Sequence, residues 1–93
     1  MSTIRIERQY RQSTTELREG LETLGKRFSE EFDVKYEWRG QRVEFKRSGV
    51  SGFIEYDDTT VRLEMKLGLM FAPFASKVRN QLETYVDEHV AAR

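Results

Sequence analysis

Hydrophobic and polar residues alternate from Thr3 to Tyr10, with Ile4 and Ile6 on one side and Arg5 and Glu7 on the other. A period of two is that of a strand with one buried face. The period then lengthens. Leu17, Leu21, Leu24, Phe28 and Phe32 recur at helical spacing, with Arg18, Glu19, Glu22, Lys26 and Arg27 pointing elsewhere. This predicts an amphipathic helix of about four turns. Ser13-Thr14-Thr15-Glu16 precedes it and matches the S-x-x-E capping box, which satisfies exposed backbone donors. Gly20 and Gly25 each cost such a helix roughly 1 kcal/mol relative to alanine, so tertiary packing must hold it.

From Val34 the period returns to two. Val34, Tyr36 and Trp38 alternate with charged residues, as do Val43 and Phe45, Ile54 and Tyr56, and then Val61, Leu63, Met65, Leu67 and Leu69. Arg39-Gly40, Ser48-Gly49 and Asp57-Asp58-Thr59 supply turn chemistry between the runs. Pro73 opens a second helix, where its missing N–H costs nothing, and Phe74, Val78, Leu82, Tyr85, Val86 and Val90 form its apolar stripe. The predicted order is β-α-β-β-β-β-α, an α+β fold with both helices on the apolar face of a half-wet sheet. If the first strand pairs with the fifth, the sheet is wholly antiparallel in the order 1-5-4-3-2, the arrangement favoured here. If it pairs with the second, a parallel right-handed crossover results. In the first hairpin, a loop at Arg39-Gly40 sets Glu37 opposite Arg42 and Lys35 opposite Glu44. Two cross-strand charge pairs, each worth roughly 0.2–1 kcal/mol, favour that register over a Gly40-Gln41 loop.

Composition narrows the functional classes. Ninety-three residues suit one domain, residues 1–93, with little room for a deep cavity. Lys+Arg and Asp+Glu both number 16, so the basic surplus expected of a nucleic-acid binder is missing. A locally basic face stays open on the first half, because 11 of the basic and 9 of the acidic residues fall within residues 1–47. The absence of cysteine predicts a reducing, cytoplasmic setting without disulfides. The longest uncharged run, residues 67–76, is far short of the roughly 20 apolar residues of a membrane span, and the amino terminus lacks the apolar stretch of a signal peptide.

Candidate chemistry is sparse. His89, the sole histidine, has only helix-surface neighbours and reads as a rim residue. Gly49-Val50-Ser51-Gly52-Phe53 lacks the closing glycine of a nucleophile elbow and lies between two strands. Glu55, Asp57 and Asp58 cluster at a hairpin tip, where Asp-rich turns form for local reasons. Tyr36, Trp38, Phe45 and Tyr56 read as core, and Arg39, Arg42, Lys46 and Arg47, with Arg5, Arg8 and Arg11, as a solvated face. No catalytic residue, metal or cofactor is expected. The run from Leu67 to Ala75 stands apart: it is free of charge, and Met70 and Phe71 cannot easily both point inward. Leu69, Met70, Phe71 and Phe74 are therefore the candidate interaction patch.

Tyr36-x-Trp38-x-Gly40, Phe45-x-Arg47-Ser48-Gly49-Val50-x-Gly52-x-Ile54 and Val61-x-Leu63-x-x-x-Leu67-Gly68-Leu69 resemble the small bacterial family named putative polyhydroxyalkanoic acid system protein. The likeness covers nearly the whole chain, and Arg-Ser-Gly-Val-x-Gly is its most specific element. It implies association with storage-polyester granules and brings no defined catalytic residues. The element order is also similar to reduced helix-grip folds, by analogy alone. The expectation is a non-enzymatic accessory protein of polyhydroxyalkanoate storage that binds a granule surface, a granule protein or, as a homodimer, a second copy. A small hydrophobic-ligand or lipid carrier of helix-grip type is the alternative.

Overall fold

A computed structural model describes residues 2–90, apart from the side chain of His89. Strand β1 (Ser2–Gln9) leads to helix α1 (Thr14–Phe32), then β2 (Lys35–Arg39), β3 (Arg42–Arg47), β4 (Val50–Tyr56) and β5 (Thr60–Leu67). A 3-10 turn over Ala72–Phe74 runs into helix α2 (Ala75–His89). The sheet is antiparallel throughout in the order β1-β5-β4-β3-β2, so the first strand pairs with the fifth. Among the described residues, no helix is long and apolar enough to cross a membrane.

Helix α1 begins where the capping box sits. Ser13 Oγ accepts from Glu16 N at 3.2 Å, and its hydroxyl donates to the Glu16 carboxylate at 3.1 Å. The helix runs 19 residues, about five turns, and buries Leu17, Leu21, Leu24, Gly25 and Phe28. It ends at Asp33, whose left-handed backbone (φ 55°) turns the chain back towards the sheet. Two arginines hold it to the hairpins: Arg18 donates to Gly40 O at 2.8 Å and lies over the Trp38 ring, while Arg47 donates to Phe32 O at 2.8 Å. Helix α2 lies beside it, where Tyr85 OH donates to the Glu31 carboxylate and Arg27 pairs with Glu88 at 3.3 Å.

Between the layers, Leu17, Leu21, Leu24 and Leu82 meet Val43, Ile54 and Met65, all fully buried. The inward face of β4 carries a glycine at its centre. Gly52 pairs with Phe45 on one side and Met65 on the other, both large and inward-facing. A Cβ there would lie 2.9 Å from Met65 Cα and would overlap the Glu64 carbonyl oxygen.

The first hairpin departs from the charge-pair expectation. Trp38 faces Val43, Tyr36 faces Phe45, Glu37 faces Glu44 and Lys35 faces Lys46. The loop is Gly40-Gln41, and Gly40 holds φ +62°, the positive first position of a type II′ turn. Turn geometry and the Tyr36–Phe45 ring pair, at 6.0 Å, thus prevail over direct charge pairing. The Glu37–Glu44 repulsion is relieved by Arg39, which reaches Glu44 on the diagonal at 2.8 Å and Glu37 along its own strand at 3.7 Å.

Leu24→Ala and Leu63→Ala should each destabilise by about 2–5 kcal/mol in denaturant titrations, as fully enclosed leucines do. Gly52→Ala should cost about 1–3 kcal/mol through overpacking, although alanine is ordinarily better than glycine in a strand. An unchanged midpoint for Gly52→Ala would show that β4 and β5 separate there freely. The hydrogen bond to Glu31, then burial, pushes the Tyr85 phenol up to about 12. Tyr36 is raised by its bond to Glu22, and Tyr10 by burial and then Asp58. A raised phenol favours the folded state fully below its unfolded pKa of about 10, and that contribution is lost as pH climbs through the folded value. Stability should therefore fall above that unfolded value, and less steeply for Tyr85→Phe. A phenolate absorbance titration showing every tyrosine ionising at its ordinary pKa would contradict this.

Candidate functional site

One end of the sheet is closed by interlocking turns. Pairing of β5 stops at Leu67, where Gly68 N donates to Gly49 O at 2.8 Å across the Ser48-Gly49 turn. The chain then coils, as Phe71 N and Ala72 N both donate to Gly68 O at 3.0 Å. Phe71 tucks its half-buried ring against Gly49, where a Cβ would come within 3.2 Å of it. Gly49 also holds φ +85°, a backbone conformation that favours glycine. The Arg47 guanidinium sits 5.0 Å from the Phe71 ring centroid while bonded to the end of α1. The turn between β3 and β4, the last turn of α1 and the connection to α2 thus form one locked corner.

Leu69 and Met70 ride on this corner at 80% and 73% exposure, and Phe74, four residues on, is 54% exposed. Two details differ from expectation. Alternation puts Leu69 on the inward face of β5, but the strand ends two residues earlier and the tight turn sends it outward. Phe74 was placed in the apolar stripe of the second helix, but Pro73 opens a 3-10 turn first and leaves Phe74 exposed at the helix N-cap. Of the four candidate residues, Leu69, Met70 and Phe74 face outward, and Phe71 is the inward support. Hydrophobic periodicity does not mark Arg47 and Gly49 as builders of this corner, although the Arg-Ser-Gly-Val-x-Gly motif contains both.

The remaining candidates are distributed as follows. Ser51 is exposed on the solvent face of β4, between Lys46 and Lys66 in register. Asp57 Oδ1 accepts from Thr59 N at 2.9 Å and Thr60 N at 2.8 Å, and Oδ2 lies 3.3 Å from Arg62. The two backbone donors, above all, lower the Asp57 pKa. Among the described residues, no group of three or more His, Cys, Asp or Glu could hold a metal ion. Phe45 and Tyr56 are buried, while half-buried Tyr36 and Trp38 donate to the two oxygens of Glu22. The His89 side chain lies outside the described residues.

The solvent face carries most of the ion pairs. Arg5 meets Glu64 at 2.8 Å, Arg62 meets Glu7 at 2.9 Å, and Arg42 meets Glu55 at 3.4 Å while stacking on Phe53. Two open grooves flank Phe53, of about 1270 and 370 Å³. The larger is lined by Lys35, Lys46, Ser51 and Lys66 among others.

Neither a curated protein nor a solved structure matches this chain. A family model does, over residues 4–90, from the first inward isoleucine to the last buried valine of the chain's carboxy-terminal end. That span takes in the Arg47–Gly52 motif, the locked corner it builds and the strand order described above. The chain therefore belongs to the family described as putative polyhydroxyalkanoic acid system protein.

Proposed function

We propose that this protein is a non-enzymatic accessory of polyhydroxyalkanoate storage in the cytoplasm, attaching to a granule surface or granule protein through Leu69, Met70 and Phe74. The observation that carries the reading is the exposure of Leu69 and Met70 on a locked corner. Large apolar side chains held outward in a group mark a contact with a partner or a hydrophobic surface. Family membership supplies the polyester setting. The fully buried side chains between sheet and helices support a surface binder over an interior ligand carrier, and both described grooves lie on the solvent face.

Leu69→Ser with Met70→Ser should leave the melting temperature within a few degrees, since both side chains are exposed. Co-sedimentation with polyester granules should fall at least tenfold, the equivalent of about 1.4 kcal/mol of lost burial. Phe71→Ser should instead destabilise the fold by about 1–3 kcal/mol, because its ring supports the corner. Unchanged granule partitioning by the folded double variant would remove this corner as the attachment site.

A further inference from the structure

The sheet register sorts the solvent face into rows. Lys35 pairs with Lys46, Lys46 with Ser51, Ser51 with Lys66, and Lys66 with Thr3, which makes one row across all five strands. The next row is Glu37, Glu44, Phe53, Glu64 and Arg5. Its three carboxylates could reach towards the lysines, but arginines already hold them: Arg39 takes Glu37 and Glu44, and Arg5 takes Glu64. Lys35, Lys46 and Lys66 are exposed and join no ion pair among the described residues. Two of them stand directly opposite each other, an arrangement that repels.

This row lies at the end of the sheet that carries the apolar corner. Lys66 precedes Leu69 by three residues and Met70 by four, so their Cα atoms lie within about 14 Å along even a fully extended chain. Lys77, exposed in the first turn of α2, follows Met70 by seven residues. The groove over this row is lined by six basic and four acidic side chains, Asp33 beside Lys35 among them, which leaves a surplus of two positive charges. Exposed apolar side chains at the same end of the sheet as unpaired lysines match an interface with a hydrocarbon interior and anionic headgroups.

We infer that this end of the molecule docks on an anionic phospholipid surface, inserting Leu69 and Met70 while Lys35, Lys46 and Lys66 meet the headgroup phosphates. The inference rests on the surface-binding reading above and specifies the chemistry of the surface. Lysine suits the role, because its flexible stem lies along apolar surface while the ammonium reaches the phosphates.

The test is sedimentation of the full chain with vesicles of phosphatidylcholine alone or with a one-third share of phosphatidylglycerol. Binding to the anionic vesicles should exceed binding to the neutral ones at least tenfold and weaken with added salt. Lys35→Gln, Lys46→Gln, Lys66→Gln should lose at least tenfold while melting no lower than the parent, since a repulsive pair is removed. A charge-matched control, Arg11→Gln, Lys26→Gln, Arg79→Gln, should bind within about twofold of the parent. Equal binding to both vesicle types, or equal loss in both triple variants, overturns the inference. Polyester granules stripped of lipid separate the two readings. Granule binding without vesicle binding rejects the lipid surface and leaves the granule reading, while vesicle binding without granule binding does the reverse.

Discussion

In a strand, successive side chains point to opposite faces, so a slip of one residue would exchange every inward for every outward group. Here that constraint acts on five strands at once. Ile4, Ile6, Val43, Phe45, Ile54, Leu63 and Met65 must all lie under the two helices, where each is at most 5% exposed. Gly52 is the point where two large neighbours, Phe45 and Met65, share the space of a missing side chain. Helix α1, with two glycines of its own, gains its stability from this face rather than from propensity.

Once the inward face is set, the outward face follows without further freedom, and its charges sort themselves by chemistry. The arginine fork serves two carboxylates at once: Arg39 holds Glu37 and Glu44, Arg42 holds Glu44 and Glu55, and Arg62 holds Glu7 and Asp57. Each exposed pair adds little to stability. Their collective consequence is to draw the carboxylates to the arginines and leave the lysine row without ion pairs of its own among the described residues. A chain with no net charge thereby acquires a cationic edge.

The Arg47–Gly52 segment has a structural task. Arg47 joins the end of α1 to the ring of Phe71, Gly49 leaves room for that ring, Val50 enters the core and Gly52 admits Met65. A rigid base of this kind lowers the conformational cost of presenting apolar side chains to a surface, because less freedom is lost on contact. The exposed residues it carries lie outside the motif.

The sequence alone determined the elements, their order and the split between apolar and charged faces, because those depend on periods of two and 3.6 that each segment carries within itself. The capping box at Ser13 and the apolar stripe from Leu17 to Phe28 were legible for the same reason. Strand order 1-5-4-3-2 was legible as the favoured of two arrangements. The hairpin register was not, because the relief of Glu37 against Glu44 comes from Arg39 on the diagonal, outside direct pair counting. Nor was the outward turn of Leu69, since alternation holds only while the strand lasts, and the turn in which Phe71 N and Ala72 N donate to Gly68 O follows directly on its end at Leu67. The lysine row is likewise a tertiary fact: Lys35, Lys46 and Lys66 are scattered in sequence, and only the pairing of four strands sets them side by side.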